Sequence, residues 1–389
     1  MKSILENKNY RTTADDFLGS FCVRFGLEKR NKAVTGSGRS ALREILLQMK
    51  KKTPKREILI PIFNCKSVEA VIKESGYTPR FYDLMTPVGG LPLEDIENVI
   101  RTSRDSLAAV IITHYFGVPQ DFRQLLGPAQ ECNVDLIEDC AHAVGGLIDQ
   151  LPVGSVGDHS FFSFGYDKPI AVGWGGLAFS RTLNLESSPQ SSEEDDARKL
   201  ASVLSFYSLR NTSNTTHRGG FGIKKRVSEA LRDRRAMRLY RGFGPSDENV
   251  GSMKSFSTIA FTIAKYELEN YYVTAKIRND NANLIRGLIP ANMNWRVGNK
   301  VQPQWLKLKG IVEGPKQLER MIVDAGNLGL RIRRNNWGLN LTPDEAEEFP
   351  NALSASKMSL ELPINQQMST KNLDDLRGLV YTSYFRNPI

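Results

Sequence analysis

One lysine in the stretch FSFGYDKPIAVGWGGLAF, residues 162–179, stands where its side chain could act as a nucleophile. Lys168 is flanked by Phe164, Pro169 and Trp174, which would shield its amine partly from water. Desolvation disfavours an ammonium ion and exposes the lone pair of the nitrogen. The glycines that follow let the backbone pass close to a bound group. The stretch therefore predicts an activated amine, and a solvated surface lysine is the alternative.

Two acids at the end of an apolar run offer a carboxylate. The segment VDLIEDCAHAVGG, residues 134–146, places Glu138 and Asp139 on opposite sides of an extended chain, so only one of them is expected on the core side. A carboxylate there is costly unless a cation meets it. The alternative is that both acids cap the next helix. His142, three positions after Asp139, could serve the site, a cap or the packing.

A small glycine-containing turn leads straight into a helical pattern in VTGSGRSALREIL, residues 34–46. The first N–H groups of a helix have no carbonyl partner within the helix, and they attract anions. Arg39 adds a fixed positive charge at this point. The segment thus predicts a phosphate-binding turn, and a plain N-cap made by its serine is the alternative.

An alternation of strand-like and helical segments must position these residues. Between about residues 30 and 180, short apolar runs alternate with amphipathic stretches such as SALREILLQMKK. This pattern favours an α/β fold with a mostly parallel central sheet flanked by helices, in which ligands bind at the carboxyl ends of the strands. The predicted strands are EILIPIF (57–63), TPRFYDL (78–84), LAAVIITHYF (107–116), VDLIED (134–139) and HSFFSF (159–164).

The second half of the chain changes character. Residues 181–250 are polar, basic and punctuated by glycine, which predicts a loop-rich insert. After about residue 252, helical patterns, strand candidates near VQPQWLKL and MSLELPI, and a closing helix in TKNLDDLRGLVYTS predict a smaller α+β domain. We therefore divide the chain into a large domain, residues 1–245, and a small C-terminal domain, residues 246–389.

Composition narrows the class of protein. With 389 residues, 40% of them hydrophobic, the chain can bury a large core. It has neither a run of about 18 apolar residues nor a signal-peptide pattern, so we expect a cytoplasmic protein with no membrane partner. The net charge of +9 suits an anionic partner, but no nucleic-acid-binding motif accompanies it, so we expect no nucleic acid. The spacing of the four cysteines indicates neither a metal site nor disulfides.

A phosphate turn, a carboxylate and an activated amine are together what pyridoxal 5′-phosphate requires. The phosphate anchors this cofactor, a carboxylate keeps its pyridine nitrogen protonated, and a lysine holds its aldehyde as a Schiff base. A carboxylate close to such a cation raises the cation's pKa by about 1–3 units. We therefore predict pyridoxal phosphate as the cofactor.

The motifs that carry these groups resemble those of the DegT-type sugar aminotransferases, which are fold type I enzymes dependent on pyridoxal phosphate. SGRSAL, IPIFNCKSV, GYTPRFYDL, THYFGVPQD, IEDCAHAVGG and the segment from SFFSF to GWGG follow the family's order over about residues 34–180. The resemblance implies a homodimer that moves an amino group, expected to come from glutamate, onto a keto-sugar nucleotide. Such a product would serve amino-sugar, polysaccharide or natural-product biosynthesis.

The resemblance also implies roles for individual residues in catalysis. It makes Lys168 the residue that binds the aldehyde of the cofactor and transfers the proton. It makes Asp139 the partner of the pyridine nitrogen, and it places His142 beside the phenolic oxygen of the ring.

A second group of residues is implied in holding the cofactor. Ser163 and the backbone around Gly38 and Arg39 would bind the phosphate, with Arg39 in place of the family's usual threonine. Cys65 falls where many relatives stack an aromatic ring on the cofactor, and its contact is expected to be thinner.

Other functions remain open from the sequence. A pyridoxal phosphate enzyme for a non-sugar ketone, a lyase or a dehydratase would keep the cofactor, although dehydratases of this family generally carry histidine in place of the lysine. A non-catalytic sensor would keep only the fold. Charge alone suggests Arg218, Lys224 and Lys225 for the diphosphate of the acceptor. The sugar, the carbon aminated, the stereochemistry and the nucleotide are not specified.

Overall fold

The computed structural model describes residues 13–165, 167–192, 254–256, 258–334, 339, 341–365 and 368–386. Most of the predicted polar insert, the predicted domain boundary at residue 245 and the three basic residues suggested for the diphosphate lie outside these ranges. The helices are α1 Ala14–Phe25, α2 Gly38–Lys50, α3 Lys66–Glu74, α4 Leu93–Thr102, α5 Leu126–Glu131, α6 Thr258–Glu269, α7 Tyr271–Arg286, α8 Pro315–Asn327, α9 Pro343–Glu348, α10 Pro350–Met358 and α11 Thr370–Tyr381.

The strands follow the same chain order. They are β1 Asn31–Thr35, β2 Glu57–Pro61, β3 Thr78–Tyr82, β4 Leu107–Thr113, β5 Asp135–Asp139, β6 Leu147–Ile148, β7 Leu151–Pro152, β8 His159–Ser163, β9 Gly176–Ser180, β10 Val301–Gln302, β11 Leu308–Ile311, β12 Arg333–Arg334 and β13 Ser359–Leu362. Each of the five predicted strand runs contains one of these strands, so that part of the prediction is confirmed.

A seven-stranded sheet in the order β1-β9-β8-β5-β4-β2-β3 forms the centre of the molecule. Strands β2, β3, β4, β5 and β8 run parallel, and β9 is antiparallel to both of its neighbours, β8 and β1. The predicted α/β fold with a mostly parallel sheet is therefore confirmed. Strands β1 and β9 were not predicted, because their apolar runs are short and lie beside glycine-rich turns.

Alternate residues of the strands pack on opposite faces of the sheet, as the pleat requires. Both faces are covered, which explains why the strands read as nearly continuous apolar runs. Helices α2 and α3 cover one face, and α1 and α6 cover the other. The first face is packed by Ala33, Ile58, Ile60, Ala109, Ile111, Ile137, Phe161 and Ala178, and the second by Val34, Leu59, Val110, Ile112, Leu136, Phe162 and Leu177.

The C-terminal part of the chain forms a three-stranded antiparallel sheet in the order β11-β13-β12, packed with α8, α10 and α11. Its hydrophobic cluster also contains Phe63, Tyr115 and Phe116, which follow strands of the large sheet. The C-terminal sheet therefore lies against the loops that follow the carboxyl ends of strands in the large sheet. Among the helices that the structure describes, none has both the length and the apolar character needed to cross a membrane.

Candidate active site

The carboxyl ends of several parallel strands bring the predicted site residues to one edge of the large sheet. Strand β5 ends at Asp139 and β8 ends at Ser163. Strand β1 runs in the same direction as β8, because both are antiparallel to β9, and it ends at Thr35 just before α2. The sheet topology thus explains how the three predicted segments converge.

The predicted phosphate turn lies directly against β8. A Cβ atom built on Gly38 would approach Cβ of Ser163 to 2.8 Å and its Oγ to 3.2 Å, so the serine hydroxyl lies at the N-terminus of α2. Gly176 allows this approach, because a Cβ there would lie 2.5 Å from the backbone carbonyl of Ser37. The arrangement combines a helix N-terminus with a hydroxyl donor, which suits a phosphate group.

The N-cap alternative for this turn is also realised. Ser37 adopts an extended conformation, and its Oγ accepts a hydrogen bond from the backbone N–H of Ser40 at 3.1 Å. The serine therefore caps α2, and capping leaves the position of Gly38 beside Ser163 unchanged. Arg39 is half-buried in the first turn of α2. Its contact with a phosphate stays a prediction.

Glu138 and Asp139 separate as the strand geometry predicts, but both are buried rather than one. Neither caps a helix, because residues 140–146 form turns. The carboxylate of Asp139 accepts a hydrogen bond from the backbone N–H of Ala141 at 3.1 Å. Burial raises the pKa of Asp139, against the opposing charge of Lys168. Such a carboxylate is stabilised when a cation binds beside it.

Glu138 holds the loop that precedes β8. Its two carboxylate oxygens accept hydrogen bonds from the backbone N–H groups of Gly154, Val156 and Gly157 at 2.7–2.8 Å. His114 Nδ1 accepts the N–H of Gln120, so the proton on Nε2 is donated to Glu138 at 3.0 Å. These bonds give Glu138 a structural role.

The same histidine and glutamate belong to a buried group that resembles a metal site in composition. One ligand atom from each of His114, Glu138 and Cys140 lies within 4.8 Å of the others. The glutamate oxygens already accept four hydrogen bonds, and the thiol is directed to the backbone carbonyl of Glu138 at 3.8 Å. The Glu138 oxygens and the Cys140 thiol are therefore already hydrogen-bonded to other groups of the protein.

The side chain of Lys168 is largely shielded from solvent and contacts His142. Its side chain is only 18% exposed, so it is not the solvated lysine of the alternative interpretation. Its Nζ is 2.9 Å from Nε2 of His142. Burial, followed by the charge of Lys168, lowers the pKa of His142 well below its ordinary value, which keeps the imidazole neutral.

The orientation of the His142 ring decides which nitrogen carries the proton. Nδ1 accepts the backbone N–H of Phe116 at 3.5 Å, which leaves the proton of a neutral ring on Nε2. Nε2 therefore presents its proton to Nζ of Lys168, and it can donate only when the lysine is present as the amine and not as the ammonium ion. Phe116 supports the ring by stacking on it, with centroids 5.9 Å apart, and its backbone adopts a left-handed φ of 57°. His142 is thus a positioned donor rather than a helix cap.

Cys65 and the nearby Phe63 have contacts with residues other than Lys168 and His142. Cys65 is exposed at the start of α3, and the hydrogen bonds found for it within the described residues go to Asn64 and Ser67. Phe63 is fully buried and packs against Tyr115 and Trp295. Whether Cys65 contacts a cofactor ring stays a prediction.

Two charged residues near Lys168, Asp167 and Lys307, were not predicted from the sequence. Asp167 Oδ1 lies 3.6 Å from Nζ of Lys168, and Asp167 Oδ2 lies 3.3 Å from Nζ of Lys307. The charge of Lys168, and then that of Lys307, lowers the pKa of Asp167 below its ordinary value, although the Asp167 side chain is 52% exposed. The adjacency of Asp167 to Lys168 was the available signal for the first of these residues. Nothing local in the sequence connects Lys307 to the site.

Comparison with known proteins places the site in context. The sequence pattern of the DegT/DnrJ/EryC1/StrS aminotransferase family matches residues 7–231, more than half of the chain. GDP-perosamine synthase of Escherichia coli O157:H7 is 33% identical over 129 residues, which are 33% of this chain and 35% of that protein. UDP-N-acetyl-3-dehydro-alpha-D-glucosamine 3-aminotransferase of Acidithiobacillus ferrooxidans is 34% identical over 134 residues, 34% of this chain and 36% of that one. The chain thus spans about a third of the length of these curated relatives.

Solved structures extend the likeness in fold to nearly the whole chain. A DegT DnrJ EryC1 StrS aminotransferase from Brucella abortus superposes with a TM-score of 0.69 at 16% identity, covering 99% of this chain and 94% of that one. PseC of Helicobacter pylori, an aminotransferase involved in the biosynthesis of pseudoaminic acid, gives a TM-score of 0.70 at 15% identity, covering 99% and 96%. The pyridoxal phosphate form of the putative sugar aminotransferase Spr1654 from Streptococcus pneumoniae gives 0.70 at 15%, covering 99% and 95%.

Proposed function

Because the chain belongs to the DegT/DnrJ/EryC1/StrS aminotransferase family, we propose that it is a pyridoxal-phosphate-dependent aminotransferase. The proposed reaction moves an amino group from glutamate to a ketone of a nucleotide-linked sugar. The observation that carries the proposal is the 2.9 Å contact of the Lys168 amine with His142 at the sheet edge that also holds Asp139 and Ser163.

The described residues fit the cofactor in three respects. Asp139 is a buried carboxylate with a raised pKa, which suits a protonated pyridine nitrogen. Gly38 leaves open the space beside the Ser163 hydroxyl that a side chain would fill, which suits a phosphate. Lys168 provides the amine for the aldehyde. When bound, the cofactor supplies the electron sink that the transfer of an amino group needs.

The residues of the chain have separate tasks in this proposal. The amine of Lys168 would hold the cofactor through its aldehyde and, when that amine is free, would accept and return the proton that the transfer of an amino group moves. Positioned proton transfer of this kind contributes about 10²–10⁴-fold to a rate. His142 would keep the lysine nitrogen in place through the 2.9 Å contact of its Nε2, and the site admits little water because His142 is buried and the Lys168 side chain is only 18% exposed.

The acceptor class is supported by the names of relatives. Two are given above, and a third is dTDP-4-dehydro-2,3,6-trideoxy-D-glucose 4-aminotransferase of Saccharopolyspora spinosa, 26% identical over 164 residues. These proteins act on sugars carrying different nucleotides, so the likeness supports a nucleotide-linked keto-sugar as a class. The polysaccharide or natural-product pathway that would use the product follows from the same likeness.

A spectroscopic experiment tests the proposed activity. We expect protein purified with pyridoxal phosphate to be yellow, to change its visible spectrum when glutamate is added, and to regain it when a nucleotide-linked keto-sugar is supplied. Asp139→Asn should retain covalent cofactor but lose the response to glutamate, since the ring nitrogen loses its anionic partner. Asp95→Asn, an exposed substitution on α4, is the matched control.

Each failure in this experiment has a distinct meaning. Wild-type protein that stays colourless with added cofactor would contradict the proposal and favour a non-catalytic relative. A response to glutamate without amination of any member of a panel of keto-sugar nucleotides would favour a non-sugar ketone. Loss of water or cleavage of the substrate would favour a dehydratase or a lyase.

We further propose that the protein is a cytoplasmic homodimer. Exposed Val273, Ile277 and Leu284 lie on one face of α7 and give an apolar surface that a second copy would cover. The cysteines are free thiols, which suits a reducing compartment. Light scattering should give twice the chain mass of 43.6 kDa, and a value equal to that mass would contradict the dimer. Cell fractionation tests the location.

A further inference from the structure

Two lysines and a glutamate of the C-terminal sheet face the lysine that we assign to the cofactor. Lys307 immediately precedes β11 and Lys309 lies within it, so their side chains point to the same side of the strand. Glu361 of β13 is paired with Lys309 in the strand register. Its Oε1 lies 3.5 Å from Nζ of Lys307 and 3.9 Å from Nζ of Lys309.

The first lysine reaches Lys168 through one carboxylate. Asp167 lies between the two ammonium groups, with Oδ2 3.3 Å from Nζ of Lys307 and Oδ1 3.6 Å from Nζ of Lys168. The side chain of Lys307 is 19% exposed and that of Asp167 is 52% exposed, so water reaches the carboxylate and screens this interaction in part. The turn that carries Lys168 is therefore tied to the C-terminal sheet.

The second lysine is connected to Lys168 through the rings of Phe116 and His142. Nζ of Lys309 lies 4.6 Å from the ring centroid of Phe116, and burial lowers the pKa of this amine well below its ordinary value. Phe116 also stacks on the imidazole of His142, which contacts Nζ of Lys168. One edge of the C-terminal sheet thus supports both neighbours of the Lys168 nitrogen.

The two neighbours act on Lys168 in opposite directions. The charge of Asp167 favours an ammonium ion, whereas the Nε2–H of His142 favours the uncharged amine, whose lone pair accepts this hydrogen bond. Only the amine can attack an aldehyde. The ammonium group of Lys307 also interacts with the Asp167 carboxylate. It therefore weakens the electrostatic attraction between Asp167 and Lys168.

We propose that Lys307 is a positioning residue that shares Asp167 with Lys168 and thereby keeps the Lys168 nitrogen available to the cofactor. The proposal rests on the proposed function. Within the described residues, the charged or titratable groups that face Lys168 are Asp167 beside it, His142 and Asp139 from the loop and end of β5, and the C-terminal group of Lys307, Lys309 and Glu361.

The test measures how fast the cofactor-free protein takes up pyridoxal phosphate covalently. Samples are quenched with borohydride at intervals, and mass spectrometry of peptides quantifies the label at Lys168 from neutral to alkaline pH. For Lys307→Met we expect uptake at neutral pH to fall about tenfold and the half-maximal pH to rise by about one unit, because one ammonium alone now faces Asp167. Lys307→Arg should restore most of the rate, and Lys316→Met, on the surface of α8, should match the wild type.

A second variant keeps the test decisive if Lys307→Met folds poorly. Asp167→Asn removes the shared carboxylate, so its half-maximal pH should move in the opposite direction, and adding Lys307→Met to it should cause no further shift. Coincident profiles for wild type and Lys307→Met would overturn the proposal. So would a uniform loss at every pH, which is what a purely structural role predicts. A wild type that takes up no label would overturn the proposed function itself.

Discussion

Replacing Lys168 by alanine is expected to abolish covalent binding of pyridoxal phosphate and to lower the rate of amino transfer by at least about 10³-fold, because both the covalent attachment and the proton transfer depend on this nitrogen. Borohydride trapping followed by peptide mapping measures the first effect. Single-turnover reaction with glutamate measures the second.

Two comparisons make the Lys168 result specific. Lys168→Arg keeps a positive charge beside Asp167 but cannot form the Schiff base, so it should fail as completely as the alanine variant. Lys316→Ala removes an exposed lysine from α8 and should retain wild-type trapping. A label found at another lysine, or trapping that persists in Lys168→Ala, would contradict the assignment.

The second large effect is expected on stability rather than on catalysis. Glu138→Gln removes a fully buried charge that accepts three backbone N–H groups and the proton of His114, and it directs an amide N–H₂ toward some of those donors. Each buried donor left without its acceptor costs about 1–3 kcal/mol, so the expected loss is at least of that size. Chemical denaturation followed by tryptophan fluorescence measures the loss. Glu131→Gln, at an exposed ion pair with Arg101, should change the free energy of unfolding by less than about 1 kcal/mol.

The effect at Glu138 should depend on pH with a definite sign. Burial alone would raise the pKa of this carboxyl group, but the hydrogen bonds from His114 and from the backbone N–H groups outweigh it, so the pKa lies below its ordinary value of 4.5. The stabilisation is therefore complete above that value and is lost as the pH falls through the lower pKa of the folded state. The difference between wild type and Glu138→Gln should shrink in acid. A difference independent of pH would contradict this account.

The central sheet was predictable because its signal is local. Parallel strands covered on both faces contain apolar runs, and each of the five predicted runs ends within three residues of its strand, including the partly exposed edge strand β3. Strands β1 and β9 were not predicted, because their apolar runs are short and adjoin Gly36, Gly175 and Gly176, and such glycines are typical of turns. Only the antiparallel pairing with β8 makes these runs part of the sheet.

The sequence by itself determined the identities and the order of Gly38, Asp139, His142, Ser163 and Lys168, because short motifs and glycine positions are written in adjacent residues. Tertiary structure alone decided that both acids of β5 are buried, that His142 presents Nε2 to Lys168, and that Asp167 is shared with Lys307. Lys307 is 140 residues from Asp167 along the chain. Their distance in space depends on how the C-terminal sheet packs against the strand ends, and no pattern of neighbouring residues contains that information.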